Sequence, residues 1–97
     1  MKTSITFSLS ALEDLENLKA YYEREGAAEA GANLIAGIVN SIERLEDYPL
    51  SGRMVPEFMV EHLREIIFSP FRIVYRCEKK RVRIVRVWRS ERLLKLP

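Results

Sequence analysis

Residues 63–88 read LREIIFSPFRIVYRCEKKRVRIVRVW, and the reading of this stretch decides the fold. Apolar and polar residues alternate through three runs, separated by Ser69-Pro70 and Lys79-Lys80. The pattern predicts strands over Leu63 to Phe68, Phe71 to Glu78 and Val82 to Trp88, folded as an antiparallel meander. In the middle run Phe71, Ile73, Tyr75 and Cys77 share one face, and Arg72, Val74, Arg76 and Glu78 share the other. Lys79-Lys80 lacks the Gly or Asn that two-residue hairpins favour. A slightly longer loop is expected there, with the register of the last strand left open.

Upstream the period changes. Thr3 to Leu9 alternates and predicts a strand, and Ser10 with Glu13 matches a helix capping box. Leu12, Leu15, Leu18 and Tyr22 follow at helical spacing as far as Gly26, a stop signal. A second helix is expected from Ala27 to Asp47, ended by Pro49. Its stripe is Leu34, Ile35, Ile38, Ile42 and Leu45, and Ala28, Gly31 and Ala32 allow close approach to the first helix. The short connection makes the pair an antiparallel hairpin. The order β-α-α-β-β-β is that of one α+β domain over residues 1–97: an N-terminal strand, a helical hairpin, then the three-stranded meander, forming one sheet. The hairpin covers one face of this sheet, which is expected to be antiparallel, and no element is left over to cover the other.

The totals narrow the function. At 97 residues and 47% hydrophobic, the chain supports a single core. No apolar run is long enough for a bilayer, and the N-terminal MKTSITFSLS is too weakly apolar for a signal peptide. One cysteine (Cys77) and one histidine (His62) leave neither an internal disulfide nor a metal-ligand cluster. No cofactor is expected, and a reducing cytoplasm is the expected location. Charge is divided sharply. The first 49 residues carry four Lys/Arg against nine Asp/Glu, a balance of −5; the other 48 carry twelve against five, a balance of +7; together they give the chain's +2. A basic half of this kind suits an acidic or polyanionic partner. Its arginines, displayed from the uncovered face, would offer planar guanidinium forks to phosphate or carboxylate.

A series of motifs then carries a resemblance. In order they are Pro49-Leu50-Ser51-Gly52-Arg53 with Val55-Pro56-Glu57 behind it, Leu63-Arg64-Glu65-Ile66, Phe71-Arg72-Ile73-Val74-Tyr75-Arg76, and Trp88-Arg89-Ser90-Glu91-Arg92. Their order and spacing over nearly the whole chain resemble the RelE/ParE superfamily of type II toxin–antitoxin toxins, and its ParE branch most closely. The resemblance implies a toxin that inhibits DNA gyrase and replication by binding, neutralised by a ParD-like antitoxin in a hetero-oligomer. It implies target contacts, to gyrase, its bound DNA or both, by Arg72, Arg76, Arg86, Trp88, Arg89 and Arg92. Leu12, Leu15, Tyr22, Arg53 and Arg64 are the expected antitoxin contacts.

The alternative within the superfamily is a RelE-like, ribosome-dependent mRNA endonuclease. Many relatives carry His-x-x-Arg where this chain has Arg89 and Arg92, and no tyrosine follows Tyr75. Arginine stabilises charge on phosphorus, but with a pKa above roughly 12 it makes a poor general base at neutral pH. Candidates for proton transfer are His62, Glu57, Glu65, Glu91 and Tyr75. Tyr75 is expected in the core and Glu65 and Glu91 in ion pairs with neighbouring arginines, so no catalytic residue is assigned.

Overall fold

The computed structural model describes residues 3–89; of the residues singled out above, Glu91 and Arg92 lie outside that range. Strand β1 (Ser4–Phe7) leads into helices α1 (Leu9–Arg24) and α2 (Ala28–Glu43) and a 3-10 turn (Arg44–Glu46). Strands β2 (Arg53–Met54), β3 (Leu63–Phe68), β4 (Phe71–Glu78) and β5 (Arg81–Arg89) follow. The sheet order is β1-β5-β4-β3-β2, with the helical hairpin on one face, so the architecture is the expected α+β layout. Ala11 from α1, Ile38 and Ile42 from α2, and Leu45 pack on Phe71, Ile73, Tyr75, Val82, Ile84 and Val87. Each large aliphatic side chain buried there stabilises the fold by about 1.5–3 kcal/mol. No helix among the described residues is long and apolar enough to cross a membrane.

The ends of the first elements differ from the sequence reading. Helix α1 starts earlier than expected because Ser8, not Ser10, is its N-cap. The Ser8 hydroxyl accepts from the Ala11 N–H at 3.0 Å and donates to the Val85 carbonyl at 2.8 Å. A serine that serves both helix and sheet outcompetes the local Ser10–Glu13 box, and Leu9 becomes an exposed helical residue rather than the end of a strand. At the other end of the hairpin Gly26 takes φ +72°, the left-handed stop. A Cβ on Gly31 would fall 2.6 Å from Tyr22 Cβ, so this glycine sets the closeness of the two helices. Helix α2 ends at Glu43, short of the expected Asp47, and the 3-10 turn buries Leu45.

Four features of the sheet depart from expectation. Strand β1 pairs parallel to β5, Ser4 with Arg81 through Phe7 with Ile84, so the sheet is mixed rather than antiparallel throughout. A two-residue strand, β2, adds an edge beside β3, pairing Arg53 with Glu65 and Met54 with Arg64. Glu78 pairs directly with Arg81, which makes Lys79-Lys80 a two-residue turn with Lys80 at φ +58°. Continuous pairing of β4 with β5 overrides the missing glycine. Finally, Val74 pairs with Arg86 but Tyr75 with Ile84, so Val85 is an extra residue and β5 carries a bulge.

Nor is the second face bare. The segment between β2 and β3 folds over it, burying Val55 against Leu63 and Val74 with Trp88 alongside. The chain reserves this short connection, which the period-two pattern does not reveal, for the cover.

Candidate functional site

Residues opposite each other in a sheet share a face. The register therefore puts Glu65 and Ile67 of β3, Arg72, Val74 and Arg76 of β4, and Arg81, Arg83, Arg86 and Trp88 of β5 on the face away from the helices. That face divides into two regions of opposite character.

In the first region the cations are consumed internally. Arg72 is almost wholly buried; its Nε donates to Glu65 Oε1 at 2.7 Å, and its Nη1 and Nη2 donate to the two Glu57 oxygens at 2.7 and 2.8 Å. The second Glu65 oxygen accepts from Arg53 Nε at 2.7 Å. The Glu65 carboxylate is fully buried between these two guanidiniums. Hydrogen bonds to Glu57, together with those to Glu65, hold the Arg72 pKa above its already high value against the opposing cost of burial. Arg86 is bound in the same manner from the other layer, with Nε and Nη2 donating to Asp14 of α1 at 2.8 and 2.9 Å. Asp14 also accepts from the Val87 N–H at 2.9 Å, and the Arg86 guanidinium lies 4.2 Å from the centre of the Trp88 ring.

The Pro49-Leu50-Ser51-Gly52-Arg53 motif is a clasp. The Tyr75 hydroxyl donates to the Pro49 carbonyl at 2.9 Å and accepts from the Gly52 N–H at 2.9 Å. Arg64 Nη1 donates to the Gly52 carbonyl at 2.9 Å. A Cβ on Gly52 would meet the Glu65 carbonyl and the Tyr75 hydroxyl at 2.6 Å, so glycine alone permits the approach. Burial raises the Tyr75 pKa, and burial likewise raises that of the Cys77 thiol, whose Sγ lies 3.1 Å from the same Pro49 carbonyl.

The second region is different. Arg76 and Arg83 are directly opposed across β4 and β5, both exposed, with no carboxylate partner for either among the described residues. Arg81, two residues along, reaches Glu78 only at 4.0 Å with both side chains about half exposed. Like charges facing each other across a sheet are unfavourable in isolation. The bulge at Val85 creates this alignment, because it returns Arg83 and Arg81 to the face that Arg86 and Trp88 already occupy.

The expected site residues are thus split between roles. Arg72, Arg86 and Trp88 lie in the packed region and Arg76 in the cationic one. Arg89 is exposed at the end of β5, its guanidinium 5.9 Å from the Phe71 ring centre. Leu12 is exposed, Leu15 packs on the core, and Tyr22 is half-buried with the exposed Tyr21 edge-on to it at 5.3 Å. Arg53 and Arg64 are part of the ion-pair and clasp systems. Arg81 and Arg83 were missed; the change in arginine spacing from 81 and 83 to 86 signals the phase slip that exposes them together. Of the proton-transfer candidates, Tyr75 is fixed by two backbone groups, Glu65 and Glu57 are held by Arg72, and His62 is exposed beside β3.

A family model described as the ParE toxin of the type II toxin–antitoxin system parDE matches residues 5–94. The candidate toxin Y4kP of Sinorhizobium fredii is 31% identical over 77 residues, 77% of this chain and 76% of the relative. Among solved structures, the chromosomal ParDE system from P. aeruginosa superposes with a TM-score of 0.77 at 23% identity, covering 93% of this chain and 98% of that one. The toxin–antitoxin complex RelBE2 from Mycobacterium tuberculosis does so at 0.63 and 18% identity, covering 92% and 99%. The structural likenesses share the fold; the family match and the curated relative share the sequence as well. This chain belongs to the ParE toxin family of the RelE/ParE superfamily and is a toxin of a type II toxin–antitoxin system.

Proposed function

We propose that the toxin acts in the cytoplasm by binding DNA gyrase and blocking replication, without cutting a substrate itself, and that a ParD-like antitoxin silences it in a hetero-oligomer. The observation carrying this reading is the exposed set Arg76, Arg81 and Arg83. It is a strong electrostatic surface, while three of the proton-transfer candidates, Glu57, Glu65 and Tyr75, are committed to structural bonds. In this reading Arg76, Arg81, Arg83 and Arg89 meet the target directly. Arg72, Arg86 and Trp88 hold the sheet face in shape. Arg92 extends the target-binding set.

The antitoxin would use the layer opposite. A cleft of about 560 Å³ lies between α1 and the end of β5, lined by Leu18, Tyr21, Tyr22, Phe71 and Trp88. Its aromatic lining suits the apolar side of an amphipathic segment, with Leu12 and Leu15 on the same helix. Acidic residues of that segment would reach Arg89 at the cleft and, where the segment extends across to the β2–β3 side of the sheet, Arg53 and Arg64, and compete with the target through charge.

Adding the purified chain to gyrase with relaxed plasmid tests the target. The expected result is loss of supercoiling and accumulation of cleaved plasmid, with message intact when the toxin is induced in cells. Undisturbed supercoiling together with abrupt loss of intact message would overturn this reading in favour of a RelE-like endonuclease.

A further inference from the structure

The cationic region has a composition that identifies its ligand class. In the row across β1, β5 and β4, Thr6, Arg83 and Arg76 lie side by side, and Ser4, Arg81 and Glu78 form the next row. Thr6, Ser4, Arg83, Arg81 and Arg76 are all exposed, and Lys79 and Lys80 close the hairpin beside them. This part of the face thus presents five cations and one carboxylate, Glu78. None of the exposed large hydrophobic residues of the described chain is paired with these positions in the sheet.

A protein partner docking here would lack an anchor. The centres of protein–protein interfaces are depleted in charge and built on buried aromatic and aliphatic side chains. Protein–nucleic acid interfaces are polar and positively charged, and most of their hydrogen bonds go to phosphate and sugar. Hydroxyls and guanidiniums are both phosphate donors. Adjacent strands place Arg83 and Arg76 about 5 Å apart at their backbones, and two residues of strand separate Arg81 from Arg83 by about 6.8 Å, on the scale of two base-pair rises. The three clefts that line the helical layer and the β2–β3 side include none of Arg76, Arg81, Arg83 or Thr6, so these residues meet backbone charge on an open sheet face and not base edges in a groove.

We propose that Arg76, Arg81 and Arg83, with Thr6, form a phosphate-binding platform by which the toxin itself touches the nucleic acid backbone, while the Ser4 hydroxyl donates to the Lys80 carbonyl and ties the hairpin to β1. For its biological role this rests on the target reading above, where the nucleic acid is the DNA held by gyrase; the contact can be measured with no gyrase present, so the two ideas fail separately. The platform also explains why an unfavourable Arg76–Arg83 opposition is kept in the middle of the sheet: a phosphate between the two guanidiniums reverses its sign.

The test is fluorescence anisotropy of the purified chain with a labelled 20-base-pair DNA duplex and, in parallel, a 20-nucleotide RNA, from 50 to 300 mM salt. Three phosphate contacts predict a log–log salt slope of about −2.7 for duplex and about −2 for single strand. Arg76→Ala with Arg83→Ala removes about two contacts, lowering the slope by roughly two units and the affinity at 0.1 M salt by roughly 50-fold. The charge-keeping Arg76→Lys with Arg83→Lys restores most of the slope, and Lys19→Ala on the helical layer leaves it unchanged. Tighter binding to duplex assigns the platform to DNA, and tighter binding to RNA assigns the same contacts to message. Wild-type affinity and slope in a folded alanine double variant, or no binding by the wild-type chain at 50 mM salt, would overturn the proposal.

Discussion

The Arg72 guanidinium meets the Glu65 carboxylate at 2.7 Å, where the glutamate side chain is wholly buried and the arginine 8% exposed. The two stand on neighbouring strands one step out of direct register, since Glu65 pairs with Val74 and Arg72 with Ile67. Glu57 closes the fork from the segment that covers this face, and Arg53 from β2 takes the remaining Glu65 oxygen. Two arginines and two glutamates thus cancel within the fold. The proposed binding surface is therefore the part of the arginine display outside this cancellation, and the two parts are expected to respond differently to substitution.

Arg72→Ala strands the buried Glu65 with one exposed partner, and breaking a buried pair from one side costs about 3–5 kcal/mol. Urea unfolding should show a midpoint far below wild type, with growth inhibition lost through the fold. Glu57 is partly exposed, so Glu57→Gln should cost less, about 1 kcal/mol. An Arg72→Ala variant with an unchanged midpoint and no toxicity would make Arg72 a contact residue instead.

The clasp around Tyr75 predicts a fall in stability at alkaline pH. Burial raises the Tyr75 pKa above 10.0 and the Cys77 pKa above 9.0, so the folded state holds both protons more tightly than the unfolded chain. Both contributions are complete below pH 9 and are lost as pH rises through the two folded values. Unfolding free energy should therefore decline from pH 9 upward. Tyr75→Phe and Cys77→Ala should each flatten part of that decline, and Tyr75→Phe should also lower stability at neutral pH by about 1–3 kcal/mol by stripping partners from Gly52 and Pro49. Parallel wild-type and variant curves from pH 8 to 11 would refute the assignment.

How far all this was legible in the sequence depends on the range of the interaction. The period-two runs reproduce β3 and β4 residue for residue, and the face assignment of Arg72 against Tyr75 follows from alternation alone. The N-cap was misread because Ser8 is chosen by Val85, 77 residues away, while Ser10–Glu13 is only a local match. The covering of the second face rests on Val55 and Glu57, from a connection with no periodicity to read. The fate of each arginine depended on these distant partners, so Arg72 and Arg76, two residues apart from Val74 on either side, looked equivalent. The bulge was partly readable: alternation runs Arg81-Val82-Arg83-Ile84 and resumes out of phase at Val85-Arg86-Val87-Trp88. That slip requires an extra residue if both halves are to keep valine and isoleucine in the core.

Asp14 ties α1 to β5, and the chain's single tryptophan reports on it. Asp14→Ala removes charge-assisted bonds to Arg86 and the acceptor of the Val87 N–H, for a cost of about 2 kcal/mol. Arg86, no longer anchored, should leave the Trp88 ring and expose it to water. A red shift of tryptophan emission in the folded variant is expected. Unchanged emission would mean that the stacking at 4.2 Å does not depend on Asp14.

The opposition of Arg76 and Arg83 separates stability from function more cleanly than any other pair. Arg83→Glu turns a like-charge neighbour into an opposite one, a change of roughly 0.2–1 kcal/mol in favour of the fold. Both side chains are exposed, so no packing is lost. The same substitution reverses charge at the middle of the phosphate platform. The variant should unfold at a slightly higher urea concentration than wild type and fail to inhibit growth, a stability–activity trade-off of the kind expected where function maintains local repulsion. Loss of toxicity with loss of stability would indicate a structural role that the exposed placement does not predict. Full toxicity in a folded Arg83→Glu variant would move the working surface off this part of the sheet, leaving the exposed end of β5 at Arg89 as the place to look.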